Sequence, residues 1–185
     1  MRNKITFHFI LSFIIIICSC SNGNKYKKEI ATLDSLSKII DSTEFILNSI
    51  DTNKVISAQN EIIDNSTIIQ SLYNDTMKRK DVIVMDKYNY IKKFFVAFLN
   101  QKEIFYDQIR YSREQVKNLS HDLKKELLEE DKTKEYLSEE ESEINDLNLK
   151  VKKSVNEIEQ CLPVFEQTTP GIKLMIDSLR LHQKV

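Results

Sequence analysis

The sequence predicts an all-α protein, an elongated up-down-up bundle of helical arms with coiled-coil-like packing that follows a cleaved signal peptide. Apolar residues recur at steps of three and four through nearly all of the chain after residue 26. Only two Gly and two Pro occur in 185 residues, whereas an all-β fold needs turn residues about every 8–12 positions. Short polar breaks divide the pattern into three arms of similar length, about 26–75, 82–129 and 132–182, and short turns place neighbouring helices antiparallel.

The first arm carries two apolar stripes with a polar break between them. Asp51 or Thr52 could cap a new helix at the break, and the apolar face changes phase between Ile50 and Val55. Two helices, or one helix with a kink, both satisfy this pattern. The stripes are Leu33, Leu36, Ile40, Thr43, Leu47 and Ile50, then Val55, Ala58, Ile62, Asn65, Ile69 and Leu72.

The second arm has the longest periodic pattern in the chain. It predicts a helix on the order of 70 Å long, preceded by a polar turn from Asn74 to Asp81. Phe94 and Tyr106 fall outside the stripe, so they either widen the buried face or form an interaction surface for a partner. The stripe consists of Val84, Tyr88, Ile91, Phe95, Phe98, Lys102, Phe105, Ile109, Ser112, Val116, Leu119, Leu123 and Leu127.

The third arm begins after a turn between Glu129 and Thr133. Its stripe is Leu137, Ile144, Leu147, Val151, Val155, Ile158 and Leu162. Pro163 is expected to end or kink this helix, because proline lacks the backbone N–H that an interior helical residue donates. The sequence Thr169-Pro170-Gly171 is typical of a helix start with proline at the first position, which predicts a separate short terminal helix.

The first twenty residues have the organisation of an export signal. Arg2 and Lys4 precede an apolar stretch from Ile5 to Ile17. Thirteen helical residues extend about 20 Å, which is short of the ~30 Å hydrocarbon core of a membrane. This length is typical of a signal-peptide core.

The end of that stretch, Ile17-Cys18-Ser19-Cys20, resembles the bacterial lipobox, with an aliphatic residue at −3, a small residue at −1 and Cys at +1. The resemblance implies cleavage before Cys20, lipid on its thiol and acylation of the new N-terminus. Residues 1–19 would then be the signal peptide, 20–25 a lipidated tether and 26–185 the bundle. Cys18 is the competing site, but Ile17 is too bulky for the position before it. An ordinary secretory signal or an uncleaved anchor would also fit the apolar stretch.

The sequence offers no constellation of catalytic or metal-binding residues. The 27 basic and 28 acidic side chains nearly balance, which gives no reason to expect nucleic acid. His121 and His182 lie on different arms, and Cys161 is the only thiol outside the N-terminal segment. The acidic cluster between Glu126 and Glu143 lacks the alternating pattern of a calcium loop. We therefore expect no metal, no cofactor and no enzymatic activity.

The function that these observations favour is a lipid-anchored envelope protein that acts as a scaffold or protein-interaction module. It is similar to small α-helical bacterial lipoproteins with a lipobox and a coiled-coil-like body. That resemblance implies attachment to the membrane through Cys20 and favours the periplasmic face of the outer membrane. We expect the helices to bind a protein partner or to self-associate. The second hypothesis is a periplasmic chaperone or ligand-binding lipoprotein with a cleft between the arms. An apolar cleft of several hundred Å³ would favour that second hypothesis, and a closed rod would favour the scaffold.

Overall fold

The computed structural model describes residues 25–73 and 77–182, which form four helices and no strand. The helices are α1 (Lys27–Asn48), α2 (Thr52–Leu72), α3 (Arg79–Lys124) and α4 (Glu130–His182). The predicted all-α class is confirmed. The predicted signal peptide and Cys20 lie outside the described residues.

The helices pack as a three-arm bundle in which α1 and α2 together form the first arm. These two helices do not pack against each other, but each contacts both α3 and α4, and α3 and α4 pack extensively together. The rings of Phe95 on α3 and Phe165 on α4 lie 6.2 Å apart, and further along the pair Ser112 of α3 and Leu147 of α4 line one depression, so the two long helices are antiparallel neighbours. At 46 and 53 residues, α3 and α4 extend about 70 and 80 Å.

The first arm is two helices. The Asp51 carboxylate caps α2, because it accepts hydrogen bonds from the backbone N–H groups of Asn53 and Lys54 at 3.0 and 3.2 Å. Ile50 stays buried at the break, and Val55 is buried again one turn later. The break therefore accommodates the phase change of the apolar stripe without interrupting the core.

The long seam of α3 is buried as the periodicity predicts, with differences at both ends. The helix starts at Arg79, where Met85 is buried and the predicted Val84 is half-buried. At the other end α3 stops at Lys124, and Leu127 is 65% exposed, so its assignment to the seam is wrong.

The physical reason for the early stop is a Schellman motif. The Leu127 N–H bonds to the Asp122 carbonyl at 3.0 Å, and the Glu126 N–H bonds to the Leu123 carbonyl at 3.2 Å. Glu126 adopts the left-handed conformation, with φ of 53°, that this motif requires and that glycine usually supplies. Because no glycine marks the position, the sequence pattern continues past the end of the helix.

The last helix continues through both prolines, so the expected end at Pro163 and the separate terminal helix after Thr169 are wrong. Pro163 and Pro170 are exposed and lie seven residues apart, at the same outward-facing position of the heptad. The carbonyls that each proline leaves without a donor belong to Glu159 and Glu166, which are exposed as well. The buried stripe continues beneath them as Ile158, Cys161, Phe165, Thr169, Ile172 and Ile176.

Pro163 and Pro170 therefore lower the stability of the folded chain but do not prevent the helix from forming. Pro163→Ala and Pro170→Ala should each raise the free energy of unfolding by about 1–3 kcal/mol, because alanine restores the missing N–H donor in an exposed helix interior. Gly171→Ala is the matched control. A Cβ there meets no atom within 4 Å, so it should add about 0.5–1 kcal/mol through helix propensity alone. Urea unfolding measures all three, and a loss of stability on replacing either proline would contradict a continuous α4.

Candidate functional site

The point where the chain enters the bundle is fixed by Tyr26. Its ring is 2% exposed, and its hydroxyl donates a hydrogen bond of 2.6 Å to the Leu128 carbonyl in the α3–α4 connection. The Lys25 ammonium lies 4.9 Å from the centre of the same ring. We call this end of the bundle, with Tyr26 and residues 125–129, the proximal end. The distal end holds the end of α2, the start of α3 and the C-terminal turn of α4.

The predicted acidic cluster lies at the proximal end and along the first turns of α4. Glu130 pairs with Lys134 at 2.7 Å, and this hydrogen bond lowers the pKa of the glutamate. Its ion pair is exposed, so it contributes little to stability. Within residues 25–73 and 77–182, no group of three His, Cys, Asp or Glu side chains is arranged to hold a metal ion.

The Cys161 thiol and the side chains of His121 and His182 are far apart in the part of the chain that the structure describes. Cys161 is buried in the α4 seam, and burial, followed by the charge of Glu157, raises the pKa of its thiol. That environment favours the neutral, unreactive form. His121 lies near the proximal end of α3 and His182 at the distal end of α4, so the fold does not bring them together.

Phe94 and Tyr106 lie on different sides of α3. The Tyr106 hydroxyl donates to the Asn48 amide oxygen at the end of α1, and the Lys102 ammonium lies 5.5 Å from the Tyr106 ring centre. Tyr106 therefore belongs to the junction between α1 and α2. Phe94 instead packs edge-to-face on Tyr90 at 4.9 Å, on the side of α3 that does not face the first arm.

A groove runs between α3 and α4 on that second side. Two depressions of about 310 and 340 Å³ lie in it, and Tyr111 and Glu143 line both of them. The opposite side of α3 is closed by the first arm, where Arg113 pairs with Asp41 and Glu44 of α1 at 3.1 and 2.7 Å. We call the groove that contains both depressions the α3–α4 groove. Its depression nearer the proximal end is lined by Tyr111 and Gln115 on α3 and by Tyr136 and Glu143 on α4.

The proximal half of the α3–α4 groove is acidic. Glu140 is half-buried in its wall, and its Oε2 atom is buried without a hydrogen-bond partner. Burial, followed by the charges of Glu143 and Glu139, raises the pKa of Glu140. Asp122 of α3 lines the same depression. This half of the groove therefore suits a cationic side chain or another hydrogen-bond donor.

Sequence reasoning missed this groove because it followed only the buried stripe of each helix. A sequence pattern that could have identified this face is present on α3. The residues that directly precede the seam positions are almost all uncharged, although charged residues are common on the rest of the helix.

Comparisons with known proteins give no relative for this chain. No family model, no curated protein and no solved structure matches it. Among the helices described, none has the length and apolar character needed to cross a membrane.

The environment of Glu140 gives a pH-dependent prediction. Its pKa is raised in the folded chain, so the ionised carboxylate destabilises the fold above that raised pKa, and the penalty disappears as the pH falls below the ordinary pKa of glutamate. Glu140→Gln should therefore raise the thermal midpoint at pH 7, by at most about 2–4 °C, and should leave it unchanged near pH 3.

Glu141→Gln is the matched control, since it removes the same charge from an exposed neighbouring position. Equal effects of the two variants at both pH values would show that net charge, rather than burial of Glu140, is responsible.

Proposed function

We propose that this chain is a lipid-anchored, non-enzymatic protein of the cell envelope, and that its helical rod acts as a scaffold or protein-interaction module. The anchor is lipid on Cys20. The observation that carries the proposal is the docking of Tyr26, six residues after Cys20, into the proximal end of the bundle. Six residues extend at most about 20 Å, so the proximal end stays close to the anchor.

The length of the rod supports a scaffold. From the fixed proximal end, α4 extends about 80 Å to the distal end. One lipid anchor at the proximal end can thus hold a helical surface about 80 Å long close to the membrane at one of its ends. The lipobox resemblance favours the periplasmic face of the outer membrane for this anchor.

The interior of the bundle also supports the scaffold over a chaperone or ligand-binding lipoprotein. The seams of all three arms are filled by buried side chains. The two depressions of the α3–α4 groove are lined largely by polar and charged residues, which do not suit an apolar ligand.

The separation of the reactive side chains supports a non-enzymatic role. Cys161 is buried in the α4 seam, and His121 and His182 lie towards opposite ends of the rod. Nucleophilic catalysis needs a nucleophile and a base within hydrogen-bond reach. The proposal accordingly needs no cofactor, and it assigns the working surface to the sides of the helices.

Cys20→Ser tests the anchor directly. The lipid is joined through a thioether, so serine cannot replace the thiol, and the variant should lose lipid entirely. It should also keep its signal segment, because the lipoprotein peptidase acts after lipid transfer. Metabolic labelling with a tagged fatty acid, read together with apparent mass, measures both steps.

Cys18→Ser is the matched control and should be labelled and processed like the parent chain. Label retained in Cys20→Ser but lost in Cys18→Ser would move the anchor to Cys18. Absence of label from all three chains would end the lipoprotein proposal.

A further inference from the structure

The exposed side of α3 carries a second helix-packing pattern. Twelve positions, each directly preceding a residue of the seam, are spaced at alternating steps of four and three, so they form a stripe rotated by about 100° from the seam. We call this set the outer stripe. It consists of Ile83, Lys87, Tyr90, Phe94, Ala97, Gln101, Ile104, Gln108, Tyr111, Gln115, Asn118 and Asp122.

The composition of the outer stripe is unusual for an exposed helix face. Between Tyr90 and Asn118 it contains no charged residue, and every charged residue of that segment lies elsewhere on α3. Three of its large members are exposed, Tyr90 at 61%, Ile104 at 54% and Tyr111 at 56%, whereas Phe94 is half-buried. An exposed face normally carries charged residues, whereas apolar and aromatic residues at 3/4 spacing are typical of a helix–helix interface, and here such residues alternate with uncharged amides.

The α3–α4 groove gives this face a direction. Its proximal half is acidic, with Asp122 on α3 and Glu139 and Glu143 on α4. Towards the distal end, beyond both depressions, the exposed cations are Lys87 in the outer stripe and Lys80, three residues before its first member. The uncharged part of the outer stripe lies between these lysines and Asp122, with Gln101 and Ile104 near its middle. Across the groove α4 contributes Asp146 and Lys150, which pair with each other at 2.5 Å and add no net charge.

We propose that this face binds a second copy of the same chain in antiparallel orientation, with the two-fold axis near Gln101 and Ile104. In that orientation the lysines at the distal end of one copy meet the carboxylates at the proximal end of the other, in both halves of the dimer. Phe94 of one copy then lies near Tyr111 of the other. A parallel pair would instead place the two acidic halves together, and like charges facing each other oppose association.

This inference deepens the interaction-scaffold proposal and rests on it for the role of the surface. It also adds a geometric consequence. The proximal ends of the two copies lie at opposite ends of the dimer, so two lipid tethers would leave from opposite ends of a rod about 80 Å long.

A photo-crosslinking benzophenone side chain at Tyr90 tests the orientation. The full chain should be solubilised in micelles that are in excess over protein, so that two chains do not share a micelle by chance. We expect a crosslinked dimer in which position 90 joins residues around 108–118. Those residues lie about 27 Å or more from position 90 along the same helix, so such a product must join two copies. The same side chain at Asn89, which is exposed and has no outer-stripe residue three or four positions away, should give no dimer.

Ile104→Glu tests the contact itself. It places a charge at the middle of the interface and should raise the dissociation constant of the dimer by roughly tenfold or more, without lowering helix content. Asn89→Glu is the matched control, because it adds the same charge at an exposed position of α3 that has no outer-stripe residue three or four positions away, and it should leave the dissociation constant unchanged.

Three results would overturn the inference. They are a chain that stays monomeric at all concentrations, crosslinks from position 90 to residues near 90 of a second copy, and crosslinks only to a different protein. Each is distinguishable from failure of the lipoprotein proposal, because fatty-acid labelling at Cys20 is measured separately.

Discussion

The structure depends on one interaction, the mostly apolar seam of buried side chains along which α3 and α4 pack antiparallel. Neither α1 nor α2 packs on the other, and each is held only by this long pair. A buried polar contact connects all three arms across the seam. The Asn65 amide donates to the Tyr88 hydroxyl at 3.1 Å, and that hydroxyl lies 3.4 Å from the Thr169 hydroxyl. Because buried polar groups need a partner, this contact favours one register of the arms over registers shifted along the helices.

The buried seams were predictable from the sequence, because the members of each seam are close in sequence and share a face through helical geometry alone. The points at which a helix ends, or continues through a proline, were not predictable in this way. Glu126 ends α3 in a conformation that glycine normally marks, and Pro163 and Pro170 lie inside α4 because both face outward while the seam beneath them stays buried. For the two prolines the heptad position decided the outcome, whereas at Glu126 the left-handed backbone of the Schellman motif did.

The contacts of residues outside the seam were harder to predict. The seam pattern shows that such a residue lies outside the buried stripe of its helix, but it does not show which neighbouring helix the residue faces. Phe94 and Tyr106 are both off the seam, yet Tyr106 joins the α1–α2 junction and Phe94 joins the outer stripe. The two sides of α3 differ only through the fold, because the first arm covers the side of Tyr106 and does not cover the side of Phe94. The same arrangement explains how a single helix provides one face for folding and a second face, uncharged from Tyr90 to Asn118, that we assign to a second copy of the chain. The N-terminal resemblance to a lipobox involves no packing and remains a prediction from residues alone.

The measurement that tests the central claim most directly is the distance between spin labels at Asn156 and Asp177, by pulsed electron double resonance. Both positions are exposed on the face of α4 that carries the prolines, and they flank Pro163 and Pro170. A continuous α4 held on the α3 seam predicts one narrow distribution near 32 Å, from 21 residues at about 1.5 Å each. A broad distribution, or a separate shorter distance, would mean that the helix ends at a proline and that the seam does not run the length of the bundle.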